Sequence, residues 1–414
     1  MMTINQLHLG NLFRSRREPG KPGLPVISVT MHDGLVHRDA LDRKDNSTLA
    51  PEEHLLVRKG DIAYNMMRMW QGAFGLAETD GIVSPAYVVV IPQKDIDPLF
   101  AAYWFKSARM IYLFWAYSYG ITGDRLRLYY KDFAQIPVNV PSKPEQERIG
   151  RVLATTDRAI AGMDKLIAAK RTLKKGLAQQ LLTGKYRLPG FGEPAVEGKV
   201  GKDSKCGWIP SDWENVQFGT LGSTYTGLAC KTKEDFGDGY PYIPYLNIFD
   251  NTYIDPTRMD RVRIGTDERQ HTVQYGDIFF TTSSETRLEV GMAAVMLSEV
   301  ESTYLNSFCF GFRLNSFDRL WPEFAGHLLR GSETRRAIAR LSQGATRYNL
   351  PQSCIKELYI PLPSLLEQKH IAALLGKADR EIALLEKKLA ALHELKKGLM
   401  QKLLTGPMPA KESA

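Results

Sequence analysis

Sliding the chain against itself by 222 positions lays residues 145–184 onto 367–406 without a gap, with 21 identities in 40 positions. Similarity at that density means duplication, and a duplicated chain is constrained to fold as two related halves. The matches include Glu145-Gln146 with Glu367-Gln368, Ile149 with Ile371, Asp157-Arg158 with Asp379-Arg380, and the closing runs LKKGLAQQLLTG and LKKGLMQKLLTG. Each repeat is entered through proline, at Val140-Pro141-Ser142 and at Leu362-Pro363-Ser364.

The regions ahead of the repeats are far less alike but share punctuation. Gly60-Asp61-Ile62 answers Gly276-Asp277-Ile278, and Gly120-Ile121-Thr122 answers Gly344-Ala345-Thr346. The order is variable module, similar helix, variable module, similar helix. A stretch rich in Pro, Gly and Lys joins the halves. The partition is 1–142 (first module), 143–186 (first helix), 187–207 (linker), 208–364 (second module), 365–406 (second helix) and 407–414 (tail). The lead-in Trp208-Ile209-Pro210-Ser211-Asp212-Trp213 has no counterpart before Leu7, which leaves the first strand of the first module open.

The repeats have the period of long helices. Ile371, Leu375, Ala378, Ile382 and Leu385 recur at intervals of three and four, and the series continues through Leu395 to Leu403; this is the seam of a coiled-coil pair. The first repeat places Thr156 and Lys170 at seam positions, which weakens its middle. Roughly 38 helical residues at about 1.5 Å each give a rod of about 57 Å. If the second module has its ends close together, the second helix runs back along the first, and the expectation is an antiparallel pair with a module at each end, a pseudo-twofold dumbbell. Within the modules, β-rich runs (26–29, 86–91, 242–248, 291–297, 308–314) alternate with helical stretches (99–114, 322–341), so the fold class is α+β.

The chain has 414 residues, 43% hydrophobic and 24% charged, which places it among globular proteins. Its N-terminus lacks the pattern of a signal peptide, and its most apolar run, 110–119, is about half the length of a membrane span. Cys206, Cys230, Cys309 and Cys354 have no metal-like spacing and read as reduced thiols, so the expectation is a cytoplasmic protein with no membrane association. There is no P-loop, no HExxH, no nucleophile elbow and no Asn/Asp-Pro-Pro-aromatic tetrapeptide. His32 and His37 read as a solvated loop pair and Thr232–Asp235 as a charged surface loop. The chain is therefore expected not to be an enzyme. Two dissimilar recognition-sized modules on a rigid spacer suit a partner that is itself a regular rod, such as B-DNA, whose turns repeat roughly every 34–36 Å.

The duplicated pattern P-x-x-x-E-Q-x-x-I…L…D…I…L-K-x-G-L…L-L-T-G at 141–184 and 363–406, together with the G-D-I and G-x-T landmarks, resembles the DNA-specificity (S) subunit of Type I restriction–modification systems. The resemblance spans essentially the whole chain. It implies two target-recognition domains separated by an antiparallel two-helix coiled-coil spacer, a split and asymmetric double-stranded DNA target, and docking of two methyltransferase subunits and two restriction/translocase subunits. It also implies no cofactor in this chain, with S-adenosylmethionine, ATP and Mg²⁺ held by those partners.

Candidate DNA-reading residues follow the landmarks. After Gly-Asp-Ile come Tyr64, Asn65, Arg68, Trp70 and Gln71 in the first module, and Thr281, Thr282, Ser283, Ser284 and Arg287 in the second. After G-x-T come Arg125, Arg127, Tyr129 and Tyr130, and then Arg347, Tyr348 and Asn349. Arginine can pair with guanine and Asn or Gln with adenine, while hydroxyls serve bases or phosphates. Near-identity beyond the seam, at Lys174-Lys175 and Lys396-Lys397, marks equivalent partner docks; lysines near helix ends also complement the helix dipole without a partner. The net charge of +8 lies on the helices: residues 143–187 carry +7 and 367–414 carry +3, against +2 for 1–142 and −4 for 188–366. That distribution implies weak DNA binding by the chain alone, with partners supplying much of the phosphate affinity. A coiled-coil protein-interaction scaffold and a self-sufficient DNA-modifying enzyme are the alternatives.

Overall fold

The computed structural model describes residues 7–31, 33–41, 49–123 and 125–404; His32 and the tail 407–414 lie outside the described residues. The chain divides into two units, residues 1–165 with 386–414, and residues 166–385. The sequence partition treats each long helix as a separate body, whereas here each is shared between the units.

The first unit runs β1 (Leu7–His8), α1 (Leu9–Leu12), β2 (Phe13–Arg16), β3 (Val26–Val29), β4 (Leu35–His37), β5 (Leu55–Val57), β6 (Ile62–Asn65), β7 (Phe74–Leu76), β8 (Gly81–Val83) and β9 (Tyr87–Pro92), then α2 (Pro98–Trp104), α3 (Ala108–Ala116), α4 (Tyr130–Phe133), β10 (Pro137–Val138) and the start of α5 (Lys143–Leu182). One antiparallel sheet has the order β2-β9-β6-β7 and a second, β4-β3-β8-β5, contains the parallel pair β3–β8. The first strand does form: β1 pairs with β10, though over only two residues. The helical stretch expected over 99–114 is split. Asp97 caps α2 by accepting from Phe100 N at 2.7 Å, and Ser107 caps α3 by accepting from Met110 N at 3.3 Å. A second cap inside an apolar run ends one helix and begins another.

The second unit repeats the plan with β11 (Glu214–Gln217), β12 (Gly222–Thr226), β13 (Phe236–Ile243), α6 (Tyr245–Asp250), β14 (Asp260–Val262), β15 (Ile278–Thr281), β16 (Ser283–Ser284), β17 (Ala293–Val295), β18 (Tyr304–Leu305), β19 (Cys309–Leu314), α7 (Pro322–Arg330), α8 (Ser332–Leu341), β20 (Tyr348–Asn349), α9 (Gln352–Lys356), β21 (Tyr359–Leu362) and α10 (Leu365–Leu404). Sheet β12-β19-β15-β17 matches β2-β9-β6-β7, the parallel pair β13–β18 matches β3–β8, and β11–β21 matches β1–β10. The strand expected over 242–248 stops at Ile243, because Pro244 ends it and opens α6. The stretch 322–341 is interrupted at Gly331, between α7 and α8.

Each unit buries the start of one long helix with the end of the other. In the first, Ile149 and Leu153 of α5 share a core with Phe13, Phe105, Phe133 and Leu404 of α10. In the second, Leu181 and Leu182 of α5 share a core with Phe218, Phe280, Ile371 and Leu375. Each such leucine contributes about 2 kcal/mol on full burial. The helix segments within a unit are thus antiparallel. Repeat-equivalent ion pairs join them: Lys396 Nζ lies 2.5 Å from Asp157 Oδ1 in the first unit, and Lys174 bonds Asp379 in the second. The weak seam layer Lys170 is used in the same way, reaching Glu381 at 2.7 Å. The seam departs from expectation at Leu173 and Leu395, which are 66% and 53% exposed. A neighbouring residue lies about 100° round a helix, so turning Lys174 and Lys396 toward the facing aspartates turns these leucines outward.

The Glu-Gln pair explains how each module holds its helix. Buried Gln146 accepts from Asp97 N at 2.8 Å and donates to Asp95 O at 3.1 Å and Pro141 O at 2.9 Å. Gln368 accepts from Trp321 N at 2.9 Å and donates to Arg319 O at 2.7 Å and Pro363 O at 2.9 Å. The glutamates differ. Glu367 is buried and receives Arg187 Nε at 2.7 Å, Nη2 at 2.8 Å and Trp213 Nε1 at 3.1 Å, which fastens the linker to its unit. Burial works against the Arg187 guanidinium, but Asp212 and Glu367 outweigh it and its pKa is raised. Glu145 is half-buried, with Arg148 beside it at 3.6 Å.

Candidate nucleic-acid interface

The Gly-Asp-Ile motif is a turn built twice. Gly60 and Gly276 adopt φ of +92° and +82°, a conformation that favours glycine. The aspartate then closes the turn: Arg58 N donates to Asp61 and Gln274 N to Asp277, each at 2.8 Å. Both carboxylates are buried, and both take a two-pronged arginine. Arg16, from β2, gives Asp61 bonds of 2.7 and 3.2 Å, and Arg313, from β19, gives Asp277 bonds of 2.9 and 2.7 Å. Tyr225 OH adds a bond to Asp277 at 2.7 Å. The hydrogen bonds that they donate to these aspartates raise the pKa of Arg16 and of Arg313. The same turn is therefore braced from different strands in the two units.

From this turn β6 and β15 run outward, and their far ends are stitched to the G-x-T segment. Leu128 N donates to Met66 O at 2.8 Å, and Leu350 N donates to Thr282 O at 2.8 Å. In the first unit this brings the two candidate segments together in one open cleft of about 660 Å³, lined by Arg68, Gln71, Arg125, Arg127 and Tyr129 together with Met67, Tyr119, Ile121 and Thr122. Arg68, Gln71, Arg125 and Arg127 are exposed. In the second unit the segments pair as strands, Ser283 with Asn349 and Ser284 with Tyr348, and Arg347 Nη2 donates to Ser283 Oγ at 3.2 Å. Arg347 and Asn349 are exposed there, with Ser283 and Tyr348 half-buried.

Several candidates are placed elsewhere. Tyr64 and Thr281 are fully buried, which removes them from any contact with DNA. Tyr64 stacks on Phe133 at 5.5 Å, and burial pushes its phenol pKa well up; Thr281 accepts from Met292 N at 3.0 Å. Trp70 is half-buried and donates to Met67 O at 3.0 Å, Asn65 caps the same turn through Met67 N at 3.0 Å, and Tyr130 donates to Phe13 O at 2.9 Å. Thr282 spends its hydroxyl on Phe308 O at 2.8 Å, Ser284 accepts from Thr286 N at 3.2 Å, and Arg287 Nε reaches Ala339 O at 3.1 Å. Of the docking lysines, Lys174 and Lys396 are engaged in the ion pairs between helices, while Lys175 and Lys397 are exposed.

Two arginines that the sequence does not single out brace the backbone near the second candidate surface. Arg330 donates to Ala293 O, Ile248 O and Phe249 O at 2.7–2.9 Å, and Arg335 donates to Leu288 O at 2.8 Å and also to Gly291 O and Val290 O. Burial lowers the pKa of each to about 10. Among the described residues, no group of three His, Cys, Asp or Glu side chains is arranged to hold a metal, and no helix is long and apolar enough to cross a membrane. The four cysteines are unpaired, and Thr232–Asp235 is a turn closed by Thr232 N donating to Asp235 Oδ2 at 2.7 Å.

A family model described as the Type I restriction modification DNA specificity domain matches residues 5–169 and again 210–394. The MjaVIII specificity subunit of a Type I restriction enzyme from Methanocaldococcus jannaschii is 25% identical over 285 residues, 68% of this chain and 64% of that protein. The StySPI specificity subunit of Salmonella potsdam is 26% identical over 209 residues, 49% of this chain and 44% of that protein. The matched stretch thus spans less than two thirds of the length of these relatives. Among solved structures, the HsdS subunit from Thermoanaerobacter tengcongensis is similar in fold, with 18% identity, 97% and 96% of the two chains covered and a TM-score of 0.51. The Type I restriction–modification S subunit from M. genitalium superposes with 13% identity, 97% of both chains and a TM-score of 0.56. With two stitched turns on two repeated sheets, and both halves matched by one model, the chain belongs to the Type I restriction–modification DNA specificity family.

Proposed function

We propose that this chain is the non-catalytic sequence reader of a Type I restriction–modification complex, with each unit reading one part of a split double-stranded DNA target. The observation that carries this is the repeated stitch: Leu128 N to Met66 O, and Leu350 N to Thr282 O. It joins two segments far apart in sequence into one surface in each unit and presents exposed Arg, Gln and Asn side chains beside it. These are the groups that pair with base edges and phosphates. The two surfaces share an arginine three residues before the stitched leucine, Arg125 and Arg347, but the next exposed side chain is Arg127 in the first and Asn349 in the second, which suits two different half-targets. Methyl transfer and ATP-dependent cleavage, with S-adenosylmethionine, ATP and Mg²⁺, belong to two methyltransferase and two restriction subunits. Exposed Lys175 and Lys397, at equivalent places on the two long helices, serve as their docks.

Sequencing of methylated bases in cells that carry this chain with its methyltransferase tests the reading. The expected result is one two-part motif with a fixed gap, and replacing residues 208–362 by another module changes one part only. A motif that changes in both parts, or methylation without sequence preference, defeats it. Methyl transfer or cleavage by the purified chain alone would contradict the non-catalytic assignment.

A further inference from the structure

A cleft of about 210 Å³ lies within the second unit, where the end of α5, the linker, the start of α8 and β21 meet. It shares no residue with the paired Ser283–Asn349 surface. Its wall at α8 is a row of hydrogen-bond donors. The helix bonds begin with Arg335 N donating to Gly331 O at 2.9 Å, and among the described residues nothing accepts from the N–H of Ser332, Glu333 or Thr334. The first turn of a helix also carries the positive end of its dipole, which favours an anion there.

Solvent satisfies many helix ends, but Thr334 sets this one apart. It is only 7% exposed, and among the described residues its hydroxyl has no hydrogen-bond partner. A threonine inside a helix commonly bonds the carbonyl four residues back, as Thr156 does with Val152 O at 3.0 Å. Thr334 instead lines the cleft, and its oxygen is not sealed within the protein, so the hydroxyl opens into that space. A nearly buried hydroxyl without a partner is costly unless something in the cleft meets it.

The charges select the occupant. Arg336 and Arg340 lie along the same wall, and helix side chains lean toward the N-terminus, here toward the first turn. Arg336 bonds the carboxylate of Glu333. Arg340, and Lys205 from the linker, have no carboxylate partner among the described residues, and Lys205 Nζ stands 3.9 Å from the centre of the Tyr359 ring. Burial pushes the Cys206 thiol up to about 12, so it stays neutral and adds no opposing charge. Beyond these groups the cleft is walled by Trp208, Ile209 and Leu182.

We propose that this cleft binds a phosphate monoester, with its phosphate on the first turn of α8 and its organic part along Trp208 and Ile209. Such a group brings three acceptor oxygens and a charge of about −1.5 to −2, which answers the free N–H groups, the Thr334 hydroxyl and two uncompensated cations. A carboxylate has one oxygen and about one charge fewer. A ligand seated there ties the linker to α8. The site is independent of the DNA-reading surface, and either can fail without the other.

The test titrates the full chain with adenosine monophosphate, adenosine and inorganic phosphate at fixed ionic strength, by calorimetry and by the phosphorus NMR line of the ligand. The expected result is one site for adenosine monophosphate, binding of inorganic phosphate about tenfold weaker, and no binding of adenosine. Thr334→Val, Arg340→Ala and Lys205→Ala each weaken adenosine monophosphate about tenfold, with the urea midpoint of the ligand-free chain not lowered. Inorganic phosphate binding as tightly as the nucleotide overturns the seat for the organic part, and adenosine binding as tightly overturns the phosphate seat. Binding that ignores all three substitutions lies elsewhere and defeats the site, as does failure of both phosphate ligands to bind. If a glutamate-rich peptide binds where neither of them does, the cleft is a dock for an acidic protein segment and the phosphate assignment is wrong.

Discussion

The hydroxyl of Tyr103 donates to Asp157 Oδ2 at 2.7 Å, tying α2 to the long helix α5 in the first unit. The equivalent joint of the second unit has His327 facing Asp379, with Nδ1 and Oδ2 4.0 Å apart. Both His327 Nε2 and Asp379 Oδ2 are buried without a hydrogen-bond partner. A buried acceptor left unmatched costs about 1–3 kcal/mol. Substituting His327→Tyr is expected to restore the bond and stabilise the second unit by about 1 kcal/mol. A higher urea midpoint for this variant is the measurement; a lower one means the larger ring does not fit beside Tyr253.

The same joint makes the second unit sensitive to acid. Burial pushes the His327 pKa from its usual 6.5 down to about 4; Lys174 adds to this and Asp379 opposes it. The native state therefore keeps the ring neutral in a range where the unfolded chain takes up a proton. Stability is full above pH 6.5 and falls as the pH drops from 6.5 toward 4, by a total on the order of 3 kcal/mol. Unfolding curves between pH 7 and 4.5 should show this slope in the wild type and a shallower one in His327→Tyr. Equal slopes would mean that the His327 imidazole does not govern the acid response.

Asp61 is the anchor of the first Gly-Asp-Ile turn, and its partner Arg16 is buried with it. Asp61→Ala strands that guanidinium and opens the turn at Arg58 N, so a loss of about 3–5 kcal/mol is expected. Chemical denaturation measures the loss. A cost below 1 kcal/mol would show that Glu18, which also bonds Arg16, can carry the charge alone.

Arg68 and Arg125 offer a test of what each cationic group contacts. If a residue meets only phosphate, its change to Ala weakens binding for all sequences and lowers the slope of log K against log salt by about 1. If it meets a guanine edge, discrimination at one base position relaxes instead, by about 1–3 kcal/mol. Anisotropy titrations of the assembled complex from 50 to 200 mM salt, on the target and on single mismatches, distinguish the two. No change in either quantity would remove that residue from the interface.

The long helices were legible because duplication and a period of three and four point to the same residues. The landmarks were legible as well, since Gly60 and Gly276 need a backbone conformation that other residues resist. Tyr64 and Thr281 were misplaced because β6 and β15 are covered on both faces. In such a strand consecutive residues are all buried, and the alternation that marks a half-exposed strand is missing. The stitch between Leu128 and Met66 left no trace in the sequence, because it is made of main-chain atoms.

The side-chain amides of Gln146 and Gln368 hydrogen-bond to backbone atoms of their modules: two carbonyl oxygens and one amide N–H in each case. The hydrogen bonds of such a joint do not depend on which side chains the partner residues carry. Residues 95–97 and 319–321 read Asp-Ile-Asp and Arg-Leu-Trp, yet each meets the amide with the same two atoms, one carbonyl oxygen and one amide N–H. Mutations can therefore accumulate across a module without loosening its attachment. What a module recognises is free to drift, while the fitting that holds it stays standard.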